Sequence, residues 1–205
     1  MFLKKLFLIP LFITLVHLPH NASASSMTGV EGLEFLRRAF VGVNDFSAEI
    51  TQEKQLSLMK KKMTASGKVR FRKPDAFFME LHAPYASRIL LKDSTLTLRL
   101  PDEGARQNIA LPPEQGLGRW LGFLDRPVKS LPEGFDVRAE RRGGTVTVGI
   151  IPRKKGSMRE IKVSLWRDGR LKSLVLEENN GDRTVINFHR MKKNAGLTDA
   201  DFRLD

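Results

Sequence analysis

The sequence predicts an α+β fold in which a single large curved antiparallel sheet forms an incomplete barrel, with a few helices as a lid or plug over an apolar cavity. After Asp45, apolar and polar residues mostly alternate with a period of two, as in half-buried strands. Turn dipeptides at Gly143-Gly144, Lys155-Gly156, Asp168-Gly169 and Asn180-Gly181 separate strands at a spacing of roughly ten residues. Because helical segments are few, such a sheet has to cover its apolar face by curving on itself.

The first 24 residues predict a secretory signal peptide, which leaves one mature domain of residues 25–205. Lys4-Lys5 supplies the positive charge, Leu6–Leu18 is a short apolar run, and Ala22-Ser23-Ala24 has the small residues of a cleavage site. The chain has no cysteine. This excludes a lipoprotein signal, disulfides and thiol catalysis, so we expect an exported, soluble protein.

The chain is strongly basic, with a formal net charge of +12. An exported protein rarely meets nucleic acid, so no nucleic-acid partner is expected. Anionic phospholipid head groups or acidic proteins are the expected counterparts, with transient contact to a membrane surface. A generally solvated basic surface is the alternative.

An amphipathic helix is predicted over residues 29–43. Thr28 and Glu31 have the spacing of a capping box. Behind them, apolar residues recur at helical intervals: Leu33, Leu36, Phe40 and Val43.

Strands are predicted from Phe46 onward, joined by a basic link at Met59–Met63 to a strand around Lys68–Arg72. Pro74 cannot donate to a strand ladder, so it predicts a corner before the strand that ends near Pro84. A hairpin follows, with its turn near Asp93-Ser94. Nine or ten strands and two or three helices are expected in all.

The middle of the chain predicts a short, weak helix between Pro112 and Arg126-Pro127. The glycines within it, at positions 116, 118 and 122, each cost roughly 1 kcal/mol relative to alanine. We therefore expect a mobile helix with one apolar face: Leu117, Trp120, Leu121 and Leu124.

No set of residues in the sequence predicts catalysis, a metal site or a cofactor. His82 and His189 each stand alone in a strand pattern, and no hydrolase, zinc-protease or phosphate-loop motif occurs. The chain is therefore not expected to be an enzyme.

Apolar side chains concentrated on single faces of strands are the more informative feature. An ordinary core explains any one of them, but the shortage of helices favours a lined cavity. The predicted lining is Phe46, Ile50, Val69, Phe71, Phe77, Met79 and Leu81, with Trp120 from the weak helix.

Several short motifs, in this order along the chain, resemble the LolA family, the periplasmic carriers of outer-membrane lipoproteins. They are "FSAEITQ" (Phe46–Gln52), "SGKVRFRKPDAFF" (Ser66–Phe78), "ILLKDSTL", "RDGRLKSLVLEENNGDRTVINF" and "LTDADFRL". The similarity extends over nearly the whole mature chain.

The resemblance implies an unclosed barrel with a helical lid, located in the periplasm of a Gram-negative bacterium and acting as a monomer. The cavity of such a carrier accepts the acyl chains of a lipoprotein from an inner-membrane exporter and delivers them to an outer-membrane acceptor. A relative that carries another lipid or glycolipid, or that senses lipoproteins, would have the same sequence features.

The family commonly has arginine directly before the corner proline, where it hydrogen-bonds to the backbone of the lid. Here Lys73 occupies that position, with Arg72 beside it. Lysine offers a point charge in place of a planar fork. The resemblance therefore implies that Lys73 or Arg72 helps to hold a movable lid at residues Glu114–Leu124. Met79 stands where the family often has an aromatic residue.

Overall fold

The computed structural model describes residues 25–59, 61–100, 104–111, 126–154 and 156–204, and these form twelve strands, one α-helix and a short 3-10 helix. The helix α1 spans Gly29–Phe40 and the 3-10 helix spans Asp199–Phe202. The strands are β1 Ser25–Met27, β2 Asp45–Leu56, β3 Lys61–Arg72, β4 Ala76–Leu81, β5 Ser87–Lys92, β6 Thr95–Leu100, β7 Ala105–Ala110, β8 Phe135–Arg142, β9 Thr145–Pro152, β10 Met158–Trp166, β11 Leu171–Glu178 and β12 Arg183–Lys193.

All twelve strands belong to one antiparallel sheet in the order β1-β8-β9-β10-β11-β12-β2-β3-β4-β5-β6-β7. The ends of this order, β1 and β7, do not pair with each other, so the curved sheet remains open. The predicted α+β fold with an incomplete barrel is confirmed. In the described ranges there is one α-helix, and the weak helix predicted after Pro112 lies outside the described residues.

The predicted helix is present and its capping box is confirmed. The Thr28 side chain accepts a hydrogen bond from the Glu31 N–H, and the Glu31 carboxylate accepts one from the Thr28 N–H at 2.7 Å. The helix ends at Phe40, three residues before the predicted end, because Val41 is extended and Gly42 has a φ of +70°. Val43 nevertheless packs in the core. No helix among the described residues is long and apolar enough to cross a membrane.

The strand predictions after β2 are confirmed at the corner and the turns. β3 ends at Arg72 and β4 begins at Ala76 on either side of Pro74, and the β5–β6 turn lies at Asp93-Ser94. The predicted link at Met59–Met63 was wrong in part, because Lys61 already pairs with Leu56 of β2. Cross-strand pairing with the long β2 extends β3 to its twelve-residue length.

Two faces of the sheet are covered by different parts of the chain. The inner face, defined here as the face that contacts α1, contains the main apolar cluster around Phe46 and Phe71. A second inner cluster joins Leu33 of α1 to β8 and β9. On the outer face, Phe78 packs against Phe202 of the C-terminal segment.

The start of α1 lies unusually close to β8. A Cβ on Gly29 would overlap the carbonyl oxygen of Val137, and a Cβ on Gly32 would overlap the Cβ of Ala139. Since neither glycine has a positive φ, the requirement at both positions is space for close packing.

We expect Gly32→Ala to lower the free energy of unfolding by about 1–3 kcal/mol, because the helix must move away from β8 to make room for the methyl group. Gly156→Ala is the matched control, since no atom of the described residues lies within 4 Å of a Cβ at that position. Urea unfolding followed by circular dichroism measures both changes. Equal unfolding midpoints for Gly32→Ala and the parent protein would contradict the close approach.

Candidate functional site

The inner face is a continuous apolar surface that crosses many strands. One row of directly paired residues runs from Phe46 through Phe71, Phe77 and Leu91 to Leu96. Directly opposed residues in an antiparallel sheet project to the same face, so all five point inward. The rings of Phe46 and Phe71 lie 5.2 Å apart between centroids. The candidate site is this inner face.

Seven of the predicted lining residues come together on the inner face. Six of them are buried, and Phe77 is partly buried and packs against the same cluster. Phe40 of α1 covers part of this group, with its ring 6.0 Å from that of Phe46. Trp120 lies outside the described residues. Whether these side chains contact a ligand remains a prediction.

Helix α1 covers only part of the inner face. A helix of twelve residues is roughly 18 Å long and about 10 Å wide. Eleven strand spacings of about 4.8 Å extend over roughly 50 Å. Apolar residues of the inner face are accordingly only half-buried on both sides of the buried centre: Phe77, Ile89, Leu91, Leu96 and Leu98 on β4–β6, and Val163, Leu174 and Phe188 on β10–β12.

The C-terminal end of α1 is held by Lys193 of β12. Its ammonium group donates to the carbonyl oxygens of Ala39 at 2.7 Å and Gly169 at 2.9 Å, and it lies 5.4 Å from the centroid of the Phe40 ring. Burial lowers the pKa of Lys193. A cation at the last carbonyls of a helix also complements the helix dipole.

The middle of α1 is tied to the chain at Val128 through Glu34. The Glu34 carboxylate accepts hydrogen bonds from Arg37 at 2.8 Å, from Arg38 at 2.9 Å and from the N–H of Val128 at 3.0 Å. These donors, first Arg37 and then the Val128 N–H, lower the pKa of Glu34 strongly. The carboxylate therefore joins the helix to the segment that leads into β8.

The two predicted gating residues lie at the β3–β4 corner. The Arg72 side chain reaches the outer face, where it pairs with Asp199, donates to the Leu197 carbonyl and stacks 5.0 Å from the centroid of the Phe202 ring. The Lys73 N–H donates to the Asn44 carbonyl at 2.8 Å. The predicted lid, Glu114–Leu124, lies outside the described residues, so the gating roles remain predictions.

Cationic side chains on the outer face hold the C-terminal segment, a role that sequence reasoning missed. Besides Arg72, Arg70 donates to the Asp201 carbonyl at 3.2 Å, and Arg88 and Arg99 donate to the Leu204 carbonyl. The only local sign of this role in the sequence was that Arg70 and Arg72 alternate with Phe71 and so point to the outer face. These four arginines of the outer face therefore bind the protein's own C-terminal segment.

Most of the chain matches one known protein family. The family model described as outer membrane lipoprotein carrier protein LolA matches residues 41–205. The chain belongs to the LolA family. An outer-membrane lipoprotein carrier protein from Pseudomonas putida is 24% identical over 144 residues, which cover 68% of this chain and 67% of the relative. A carrier of the same name from Pseudomonas fluorescens is 23% identical over 150 residues, covering 68% of each.

A solved structure with a TM-score above 0.5 shares the architecture of this LolA-family chain. An uncharacterized conserved protein from Thermus thermophilus matches with a TM-score of 0.51 at 12% identity, covering 85% of this chain and 93% of the other. A LolA superfamily protein from Nitrosomonas europaea gives a TM-score of 0.45 at 13% identity, covering 86% and 98%. The similarity to the Thermus thermophilus protein supports the fold of this chain.

We expect acid to weaken the parent protein more than the Glu34→Gln variant. The folded state lowers the pKa of Glu34 below its ordinary value of 4.5, so its contribution to stability is present above that pH and is lost as the pH falls below it. Urea midpoints at pH 6 and at about pH 3.5 measure the difference. Glu133→Gln, at an exposed site, is the control. Equal acid sensitivity of the parent protein and both variants would contradict the role of Glu34.

Proposed function

We propose that this LolA-family protein is a periplasmic carrier that shields the acyl chains of lipoproteins on the inner face of its sheet and moves them from the inner to the outer membrane. An inner-membrane exporter is the proposed donor and an outer-membrane receptor the proposed acceptor. The protein acts by binding, with no chemical step.

The physical need for such a carrier follows from the cost of exposing hydrocarbon to water. Each methylene group left in water costs about 0.8 kcal/mol. A lipoprotein with several long acyl chains therefore requires an apolar surface throughout its passage between two membranes. A folded protein with an incompletely covered apolar sheet can provide that surface.

The observation that supports this function best is the half-buried apolar zone on β4–β6. Phe77, Leu91 and Leu96 form one row on the inner face, and Ile89 and Leu98 are directly paired in β5 and β6. None of the five is fully buried. These residues extend the buried cluster along the inner face. A bound acyl chain would therefore lie on an apolar surface that already exists, and no core residue would have to become exposed.

The same surface also suits another lipid or a glycolipid as cargo, or a lipoprotein that the protein senses. These alternatives share the acyl chain and differ in what is attached to it. Mass spectrometry of lipid and protein that co-purify from the periplasm distinguishes them. Acylated protein supports the lipoprotein carrier, and free lipid or glycolipid supports the alternative cargo.

We expect Leu91→Glu to weaken binding of a fluorescent acyl-chain probe by at least roughly tenfold, because a carboxylate on the inner face must be desolvated beside the hydrocarbon. The neighbouring change Leu90→Glu is the control, since Leu90 points outward and packs near Phe202. It should lower the unfolding midpoint and leave probe affinity within about twofold in the folded protein. Titration by fluorescence measures affinity, and equal losses in both variants would count against an inner-face site.

We expect Lys73→Leu to slow the release of the probe while leaving its uptake intact. The proposed reason is that a cation at the β3–β4 corner donates to the backbone of the lid, and such hydrogen bonds, worth about 1 kcal/mol each, favour the closed state that expels cargo. Stopped-flow transfer to acceptor vesicles measures the release rate.

Arg72→Leu is the comparison, because the Arg72 side chain contacts the C-terminal segment in the structure. We expect it to loosen that segment and to change release less than Lys73→Leu does. Unchanged release in Lys73→Leu, Arg72→Leu and the double variant would show that this corner takes no part in gating.

A further inference from the structure

The turn between β2 and β3 exposes two large apolar side chains. Leu58 is 94% exposed and Met59 is 63% exposed. By comparison, Val41 is 58% exposed and Trp166 is 40% exposed. We call Leu56–Met59 together with Lys61 the hairpin tip.

The hairpin tip projects beyond the neighbouring strand β4. The ladder between β2 and β3 continues to the pair Leu56–Lys61, whereas β4 pairs with β3 only as far as Gly67 opposite Leu81. One further hydrogen bond, from the His82 N–H to the Ser66 carbonyl, extends this contact. Within the described ranges, the remaining residues of β3 toward the tip are paired on one side only.

The tip is held in its extended position by the β11–β12 turn. The Ser57 N–H donates to the Asp182 carboxylate at 2.9 Å, and the Ser57 hydroxyl donates to the Asn180 carbonyl at 2.7 Å. These bonds stabilise the base of the turn, so the exposure of Leu58 and Met59 is a consequence of the fold. Neither side chain is covered by the part of the chain that the structure describes.

Lysines outnumber acidic residues around the apolar pair. Lys61 is exposed immediately beside the turn, and Lys54 lies in β2 opposite Met63. Lys62 pairs with Glu53 at 2.7 Å on the exposed surface, where such a pair contributes little. The described part of the hairpin near the tip thus has three lysines and one glutamate, and Asp182 of the adjacent turn adds one further carboxylate.

We propose that the hairpin tip docks the protein on membranes rich in anionic phospholipid. Leu58 and Met59 enter the boundary between head groups and acyl chains, while Lys54 and Lys61 contact lipid phosphates. A stable protein partner would require about 800 Å² of contact surface on each side, far more than a projecting turn of two apolar residues presents. Apolar insertion combined with positive charge therefore fits a lipid surface best.

This docking goes beyond the proposed carrier function and does not depend on the inner-face site. It would bring the protein to the membrane surface at which cargo enters or leaves the aqueous phase. Loss of docking and loss of acyl-chain binding are separate outcomes, because the hairpin tip and the half-buried zone on β4–β6 share no residue.

Co-sedimentation with vesicles tests the proposal, using residues 25–205, the predicted mature chain, which contains every described element. Phosphatidylethanolamine vesicles with and without phosphatidylglycerol are the probes. We expect the parent protein to bind the anionic vesicles, and the double change Leu58→Ser with Met59→Ser to weaken binding roughly tenfold. Lys61→Ala should weaken it about fivefold at low salt.

Val41→Ser and Trp166→Ser are the matched controls. Val41 precedes β2 and Leu58 follows it, so the two residues lie at opposite ends of a twelve-residue strand. Both controls should bind vesicles like the parent protein. The double tip variant should keep its unfolding midpoint and its affinity for the acyl-chain probe.

Three results would each overturn the proposal: absence of binding by the parent protein, unchanged binding by the double tip variant, or a loss that occurs in the Val41 or Trp166 variants and not at the tip. Equal binding to vesicles with and without phosphatidylglycerol would overturn the requirement for anionic lipid.

Discussion

The apolar inner face of an open sheet must be covered, and one helix of twelve residues cannot cover the twelve strands that the described residues form. The hydrophobic effect makes every uncovered apolar patch unfavourable in water, at about 25 cal/mol per Å². Closing the sheet would remove its edges, but β1 and β7 remain apart. The half-buried residues on β4–β6 are the consequence of this mismatch, and the proposed acyl chain supplies the missing cover.

The position of α1 explains why one side of the sheet remains available. Gly29 and Gly32 allow the helix to lie against β8, and Lys193 holds its other end at Ala39. These contacts therefore fix the helix over one part of the inner face. The outer face has a different cover, the C-terminal segment, which arginines such as Arg70 hold through its carbonyl groups. Each face thus has its own cover, and among the described residues the cover of the inner face leaves the apolar zone on β4–β6 half-buried.

Local patterns in the sequence predicted the open sheet, the capping box and the hairpin turns, because each depends on residues that are close along the chain. The edge strands were missed for physical reasons. β1 has three residues, too few to show a period, and all six residues of β7 are exposed, so no apolar alternation marks it. The seven described lining residues were grouped on one face by alternation, but the burial of six of them and the packing of Phe40 on Phe46 required the structure.

The path of a bound acyl chain is the most direct test of the account. A fatty acid with a photoreactive diazirine near its end can be bound to the protein, irradiated and mapped by peptide mass spectrometry. The account predicts crosslinks to inner-face residues of β4–β6, such as Phe77, Leu91 and Leu98. Crosslinks confined to outer-face residues such as Leu90, or to Leu58 at the hairpin tip, would contradict it.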